Sequence, residues 1–71
     1  MNHYMVKFDF TTMKGNELTG RRGQVVLESG LLLHEIEDDK EGVKQQCVHF
    51  VLSRKPKWNI LGLDVTSITQ Q

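Results

Sequence analysis

The sequence contains a single cysteine and a single proline. The first excludes an internal disulfide, and the second excludes a continuous strand through its position. Because Cys47 has no partner, no disulfide can form within the chain, and the fold has to hold without a covalent cross-link. Such cysteine usage is typical of a reducing compartment, so we expect a cytoplasmic protein. Pro56 cannot donate a ladder hydrogen bond and therefore marks a break between two elements.

An excess of either charge is also absent, since nine cations balance nine anions. The strongly basic domain that marks many nucleic-acid-binding proteins is therefore missing, although a local basic patch is still compatible with the balance. A net charge of zero gives little colloidal repulsion, which makes a homo-oligomer plausible. No apolar run approaches the roughly 20 residues of a membrane span, and the first ten residues lack the features of a signal peptide. We therefore expect no membrane association.

The length of 71 residues allows one domain, residues 1–71. Five apolar segments separated by polar or glycine-containing breaks are typical of a mainly β protein. This rhythm predicts a five-stranded meander that curls into a small barrel of SH3-like or OB-like size. In the first segment, residues 4–12, side chains alternate with a period of two. A turn at 14–16 follows, and the second segment, 21–28, requires a bulge near Gly20 or Gly23 to bring Leu18 onto the face of Val25 and Leu27.

Residues 31–37, 43–53 and 58–68 form the remaining segments, of which 43–53 is ambiguous. Its valines and aromatic residue favour a strand, and Gly42 suits a hairpin loop better than the first turn of a helix. However, Val43, Cys47 and Val51 also repeat at helical spacing, and Asp38 or Asp39 is a suitable N-cap. The alternative fold is α+β with β-β-α-β order and a helix at about 39–54.

The alternation of apolar side chains within these segments also predicts a hydrophobic core. For the five-stranded fold, its members are Tyr4, Val6, Phe8, Phe10, Val25, Leu27, Leu32, Val48, Phe50, Leu61, Leu63 and Val65.

Residues for catalysis or metal binding are sparse. His3, His34, Cys47 and His49 are the candidate ligands, but they lack the paired short spacings of a zinc site. Cys47 has no base and orienting group in an evident arrangement, and a buried structural cysteine is the simpler interpretation. The glycines fit neither a P-loop nor a dinucleotide fingerprint. We therefore expect no metal, no cofactor and no enzymatic activity.

Two charged clusters are the candidate sites. Cations near the only tryptophan suggest contact with nucleic acid or another anionic partner, in which the aromatic ring stacks on bases and the cations bind phosphates. This candidate site consists of Arg21, Arg22, Arg54, Lys55, Lys57 and Trp58. The second cluster is a candidate contact for a basic partner and consists of Glu35, Glu37, Asp38, Asp39 and Glu41.

The simplest interpretation of both clusters is structural: a charged turn and a solvated loop. The functional expectation is a small non-enzymatic binding protein that acts by protein–protein contact. The alternative is a nucleic-acid-binding module that uses the basic cluster.

Overall fold

A computed structural model describes all residues of the chain, 1–71. The elements follow in the order β1 (Asn2–Lys14), β2 (Glu17–Ser29), α1 (Leu33–Asp38), α2 (Lys40–Arg54) and β3 (Asn59–Gln70). The strands form one antiparallel sheet in the order β2-β1-β3, so β1 is central. More than half of the residues lie in strands, and the mainly β prediction is confirmed. The five-stranded meander or barrel is wrong, because the sheet is open and has three strands.

The β1–β2 hairpin is regular from the turn to its far end. Gly15 adopts a φ of 61° in a two-residue turn, as the predicted turn at 14–16 requires. Pairing then runs without interruption from Lys14–Glu17 to Asn2–Ser29. The bulge predicted near Gly20 or Gly23 is therefore wrong. Leu18 instead lies on the opposite face from Leu27, where the residue is 62% exposed.

The segments predicted as the third and fourth strands are helices. Helix α2 covers Lys40–Arg54, close to the alternative of a helix at about 39–54, while α1 was not foreseen. The reason is burial, because α2 places Val43, Cys47 and Val51 on one stripe against the sheet. This packing outweighs the preference of valine and phenylalanine for strands.

The start of α2 explains why Gly42 tolerates a helical position. Asp39 is the N-cap, and its Oδ1 accepts a hydrogen bond from the Gly42 backbone N at 3.2 Å. A Cβ on Gly42 would lie 2.2 Å from the Asp39 carboxylate. A side chain here would displace the cap, so the glycine that argued against a helix is part of the helix start.

Both helices cover one face of the sheet, which we call the covered face. Its core consists of Tyr4, Val6, Phe8, Phe10, Leu27, Ile36, Val43, Cys47, Val51 and Leu63. Six of the predicted core residues are thus confirmed, and Val25, Val48, Phe50 and Val65 are partly buried. Leu32 and Leu61 were predicted wrongly, since both are about half exposed. Leu32 precedes a helix instead of lying in a strand, and Leu61 has no partner opposite it in β1.

Strand β3 pairs with β1 less regularly than β2 does. Its register shifts twice, opposite Lys7/Phe8 and opposite Thr11/Thr12, which leaves Thr66 and Leu61 unpaired. The Thr66 hydroxyl donates to the Lys7 carbonyl at 3.1 Å. The molecule is elongated, with extents of 41 × 19 × 17 Å. Neither helix combines the length and the hydrophobicity needed to cross a bilayer.

Candidate functional site

The segment 54–58 is the connection between α2 and β3. Arg54 ends the helix, Lys55 is its C-cap, and the Trp58 backbone N donates to the Lys55 carbonyl at 3.1 Å to close a turn. Trp58 is half-buried and lies immediately before β3. The basic segment is therefore a compact turn at one end of the sheet.

A stack of side chains holds Trp58 in place. Its ring lies 6.1 Å from the Phe10 ring, and the Arg21 guanidinium lies 4.1 Å from the ring centroid. Arg21 also donates from Nε to the hydroxyl of buried Thr12 at 3.0 Å. Lys55 approaches the same ring at 5.7 Å. Much of the aromatic surface that would stack on a base is thus already in contact with the protein.

Arg21 and Arg22, adjacent in the sequence, separate onto opposite faces because side chains alternate along a strand. Arg21 points towards the helices. Arg22 points to the opposite face of the sheet, which no helix covers, and its side chain is 91% exposed. The Arg22 Nε is 3.8 Å from Asp9 Oδ1. Arg54 extends over the Phe50 ring at 4.6 Å. The structure therefore brings Arg21, Lys55 and Trp58 together and leaves Arg22 apart from them.

The acidic cluster surrounds α1 and the start of α2, and two of its members act as helix caps. Glu35 Oε1 accepts from the Leu32 backbone N at 2.9 Å, and Asp39 caps α2. Glu37, Asp38 and Glu41 are exposed. The cluster is thus partly structural: all five residues are exposed, but only Glu37, Asp38 and Glu41 have no capping role.

The zero net charge conceals a separation of charge along the molecule. The end that contains the hairpin turn and the end of α2 carries five cations and one acid: Lys14, Arg21, Arg54, Lys55, Lys57 and Glu17. The opposite end carries six acids and two lysines: Glu28, Glu35, Glu37, Asp38, Asp39, Glu41, Lys40 and Lys44. The remaining four charges lie between them and cancel.

The second face of the sheet, here the open face, has no element packed on it. Apolar side chains lie near both ends of the hairpin, where Met5 pairs with Val26 and Met13 pairs with Leu18. Leu18 and Val26 are 62% and 46% exposed. Charged and polar side chains lie between the two pairs and consist of Lys7, Asp9, Thr11, Arg22, Gln24, Asp64 and Ser67. Of the open-face residues, only Arg22 belongs to a site predicted from the sequence, although the alternation of β1 contained the signal.

The chemistry of Cys47 follows from its position inside the core. The side chain is fully buried, and this burial raises the pKa of the Cys47 thiol from 9.0 to about 11. At neutral pH it is a protonated core residue without the thiolate that nucleophilic attack requires. No group of three or more His, Cys, Asp or Glu side chains converges as a metal site would.

The apolar lining of the covered face is incomplete on the side of β2. Helix α2 packs more closely against β3 than against β2, and a groove runs between α2 and β2. Val25, Leu27, His49 and Phe50 are among its lining residues. The edge of the sheet at β2 therefore presents both free backbone groups and partly exposed apolar side chains.

Comparison of the chain with models of protein families, with curated proteins and with solved structures finds no match in any of the three.

Proposed function

We infer that the protein is a non-enzymatic binding protein that acts by contact with another protein through the open face of its sheet. The observation that carries this proposal is the exposure of Leu18 and Val26, beside half-buried Met5 and Met13, on a face without any covering element. In each pair, accessible apolar side chains lie next to each other, and an apolar patch rimmed by polar residues is suited to contact with a partner.

The dimensions of the open face suit such a contact. Strands of 12 or 13 residues at about 3.4 Å per residue are about 40 Å long, and three strands are about 14 Å wide. The resulting area of about 600 Å² per partner lies towards the small end of specific interfaces. The accessible surface of 5177 Å² also exceeds the roughly 4,500 Å² expected of a compact chain of this mass.

The charges on and beside this face specify what the partner has to offer. The partner surface needs two apolar contacts, one for each hydrophobic pair, and a polar region between them for Asp9, Arg22 and Asp64. Glu37 and Glu41 lie on the helices of the covered face, so they form a separate candidate contact for a basic partner. Of the other acids at this end, Glu35 and Asp39 have capping roles and Glu28 contacts His3.

The burial of the single cysteine supports a role without catalysis. Cys47 is inaccessible and protonated, and His49 lies on the exposed side of α2.

A pair of leucine substitutions tests the contact. Leu18→Lys places a charge on the open face, whereas Leu32→Lys makes the same change at a leucine of similar exposure beside the helices. Proteins captured from cell extract by the wild type are identified and purified, and their affinities are measured by isothermal titration calorimetry. The proposal is supported if Leu18→Lys lowers the affinity for a captured partner at least tenfold and Leu32→Lys leaves that affinity unchanged. Equal binding by all three proteins contradicts it.

Nucleic-acid binding at the basic end is the second candidate. It is favoured by the collection of five cations with a single acid around the turn at Trp58, which gives that end a local positive potential despite the zero net charge. In this role the cations contact phosphates, and the partly covered Trp58 ring supplies little base stacking.

A charge-reversal experiment with a matched control separates the two candidates. Amide NMR spectra are recorded with mixed single- and double-stranded oligonucleotides at low salt and at physiological salt. If nucleic acid binds, residues 54–58 shift together and the affinity falls as salt rises. Lys55→Glu with Lys57→Glu then abolishes the shifts, and Lys40→Glu with Lys44→Glu at the acidic end does not. Unchanged spectra at both salt concentrations exclude this candidate.

A further inference from the structure

Strand β2 forms one edge of the sheet and exposes a regular row of unpaired backbone groups. The two-residue turn makes Lys14–Glu17 a hydrogen-bonded pair, and such pairs alternate with non-hydrogen-bonded ones along the hairpin. Odd-numbered residues of β2 therefore bond to β1. The N–H and C=O groups of the even-numbered residues, from Leu18 to Glu28, point away from the sheet.

The two edges of the sheet differ in how well they can accept another strand. The β3 edge is interrupted at Leu61 and Thr66, where the register shifts, and such irregularities discourage further pairing. The β2 edge has no shift over its 13 residues and no proline. A long regular edge is a template for strand addition.

We propose that β2 pairs with β2 of a second copy of this chain, antiparallel about a two-fold axis at Val25, to form a continuous six-stranded sheet. In this register Arg22 lies opposite Glu28 of the partner subunit, and by symmetry Glu28 lies opposite Arg22 of the partner subunit. Both residues are even-numbered, so they belong to hydrogen-bonded pairs of the new ladder. Opposite charges in directly facing positions stabilise such pairs.

The charges select this register over its neighbours. Placing the axis at Arg22 would bring two guanidinium groups together, which is destabilising. Placing it at Gly23 or Gln24 would leave Arg22 and Glu28 opposite uncharged residues. Within the monomer both charges have only exposed partners, Asp9 at 3.8 Å and His3 at 3.2 Å. Such surface pairs are weak and do not hold the side chains back.

The covered face of β2 gives an independent reason for the same axis. The groove between α2 and β2 leaves Val25 half-buried, with Leu27 and Phe50 beside it. With the axis at Val25, the valines of the two copies face each other and the two grooves join. Apolar surface that one copy leaves partly exposed becomes buried, which favours association.

Charge exchange tests the proposed pairing. Sedimentation equilibrium should show a dimer for the wild type, and Arg22→Glu or Glu28→Arg alone should raise the dissociation constant at least tenfold. The combined variant, Arg22→Glu with Glu28→Arg, should restore the wild-type value. Lys7→Glu, an exposed open-face change on β1, should leave it unaltered. A wild type that stays monomeric at millimolar concentration, or a combined variant no tighter than the single ones, would overturn the proposal.

Cross-linking tests the register. Facing residues of a non-hydrogen-bonded pair have Cα atoms about 4.5 Å apart, within disulfide range, so Val25→Cys should yield a covalent dimer under mild oxidation. Val26→Cys is the control, because two copies of residue 26 would lie more than about 7 Å apart, beyond disulfide range. Covalent dimer from Val26→Cys as readily as from Val25→Cys would contradict the axis. Leu18 lies outside the paired region, so the dimer and the open-face contact can fail independently.

Discussion

On the covered face of the sheet, Val6, Phe8 and Phe10 point from β1 into the core, whereas Lys7 and Asp9, which lie between them, point to solvent on the open face. The same strand thus contributes to two surfaces with different roles. Apolar burial on one surface stabilises the fold, and the other surface is free to carry charges and apolar contacts for a partner. Neighbouring residues therefore make matched pairs for experiments, since a change of one position in the sequence is a change of face.

The largest difference in stability is expected between alanine variants of Phe8 and Lys7. Phe8 is 1% exposed and lies 5.7 Å from the Phe10 ring. Phe8→Ala should lower the free energy of unfolding by about 3–5 kcal/mol, because it leaves a cavity in a small core. Lys7→Ala should change it by less than about 0.5 kcal/mol. Urea denaturation followed by circular dichroism measures both, and similar midpoints would contradict the assignment of the two faces.

The buried thiol makes the covered side sensitive to alkali. The Cys47 pKa of about 11 lies above the 9.0 of an exposed thiol, so the unfolded chain loses its proton first as pH rises. Stability from this group is complete below about pH 9 and declines between pH 9 and 11, by at most about 2–3 kcal/mol. Comparison of wild type with Cys47→Ala by urea denaturation at pH 8, 9, 10 and 11 isolates the contribution. Parallel curves for the two proteins would show that Cys47 is accessible.

Two glycines in β2 offer the next comparison. A Cβ on Gly23 would lie 2.5 Å from the tip of the Phe8 ring, whereas a Cβ on Gly20 would meet nothing within 4 Å. Gly23→Ala should therefore cost about 1–3 kcal/mol through displacement of the ring. Gly20→Ala should be neutral or stabilise the strand by up to about 1 kcal/mol. Thermal unfolding distinguishes them, and an unaffected Gly23→Ala protein would show that Phe8 can move without cost.

Arg21 and Arg22, which point to opposite faces, allow the same comparison of stability between the two faces. Arg21→Ala removes the contact with Trp58 and the hydrogen bond to Thr12, and should cost about 1–2 kcal/mol. Arg22→Ala removes only an exposed ion pair and should cost less than about 0.5 kcal/mol. Trp58 fluorescence should change with the first substitution alone. Both variants are compared at the same low protein concentration, at which the proposed dimer would not contribute.

The smallest effect is expected for Asp64, which pairs directly with Asp9 across β3 and β1 on the open face. Like charges in facing positions repel, so Asp64→Asn should stabilise the protein by about 0.2–1 kcal/mol. Because salt screens exposed charges, the gain should shrink in 1 M sodium chloride. A gain that is independent of salt would point to another cause.

The amino-acid pattern predicts some parts of this fold well for identifiable reasons. Strict alternation in β1 indicates which side chains are buried, and Gly15 and Asp39 mark a turn and a helix start through local backbone requirements. The state of residues 43–53 is different, because strand and helix both align part of the valine, cysteine and phenylalanine set. The contacts of α2 with the sheet decide between them, and those contacts are long-range.

The candidate site also combines features that follow from local sequence with features that follow from long-range contacts. Arg54 to Trp58 are contiguous, so the sequence places them together whatever the fold. That Arg21 joins them, and Arg22 does not, follows only from the pairing of Arg21 with Phe10 in the hairpin. The open face was overlooked because the predicted bulge placed Leu18 on the face of Val25 and Leu27, whereas Leu18 pairs with Met13 on the other face. Recognising it requires knowledge that the second half of the chain supplies two helices and one strand.

The central position of β1 also governs the order in which the fold can assemble. Its hairpin with β2 closes through a two-residue turn, whereas its pairs with β3 join residues 46 to 66 positions apart, as Met13–Asn59 and Tyr4–Gln70 show. Local contacts lose little chain entropy when they form, and distant ones lose more. The hairpin therefore offers an early nucleus, and the docking of β3 completes the core late in the reaction. Until then one side of β1 is bare, which makes this interval the one in which the chain is most open to mispairing.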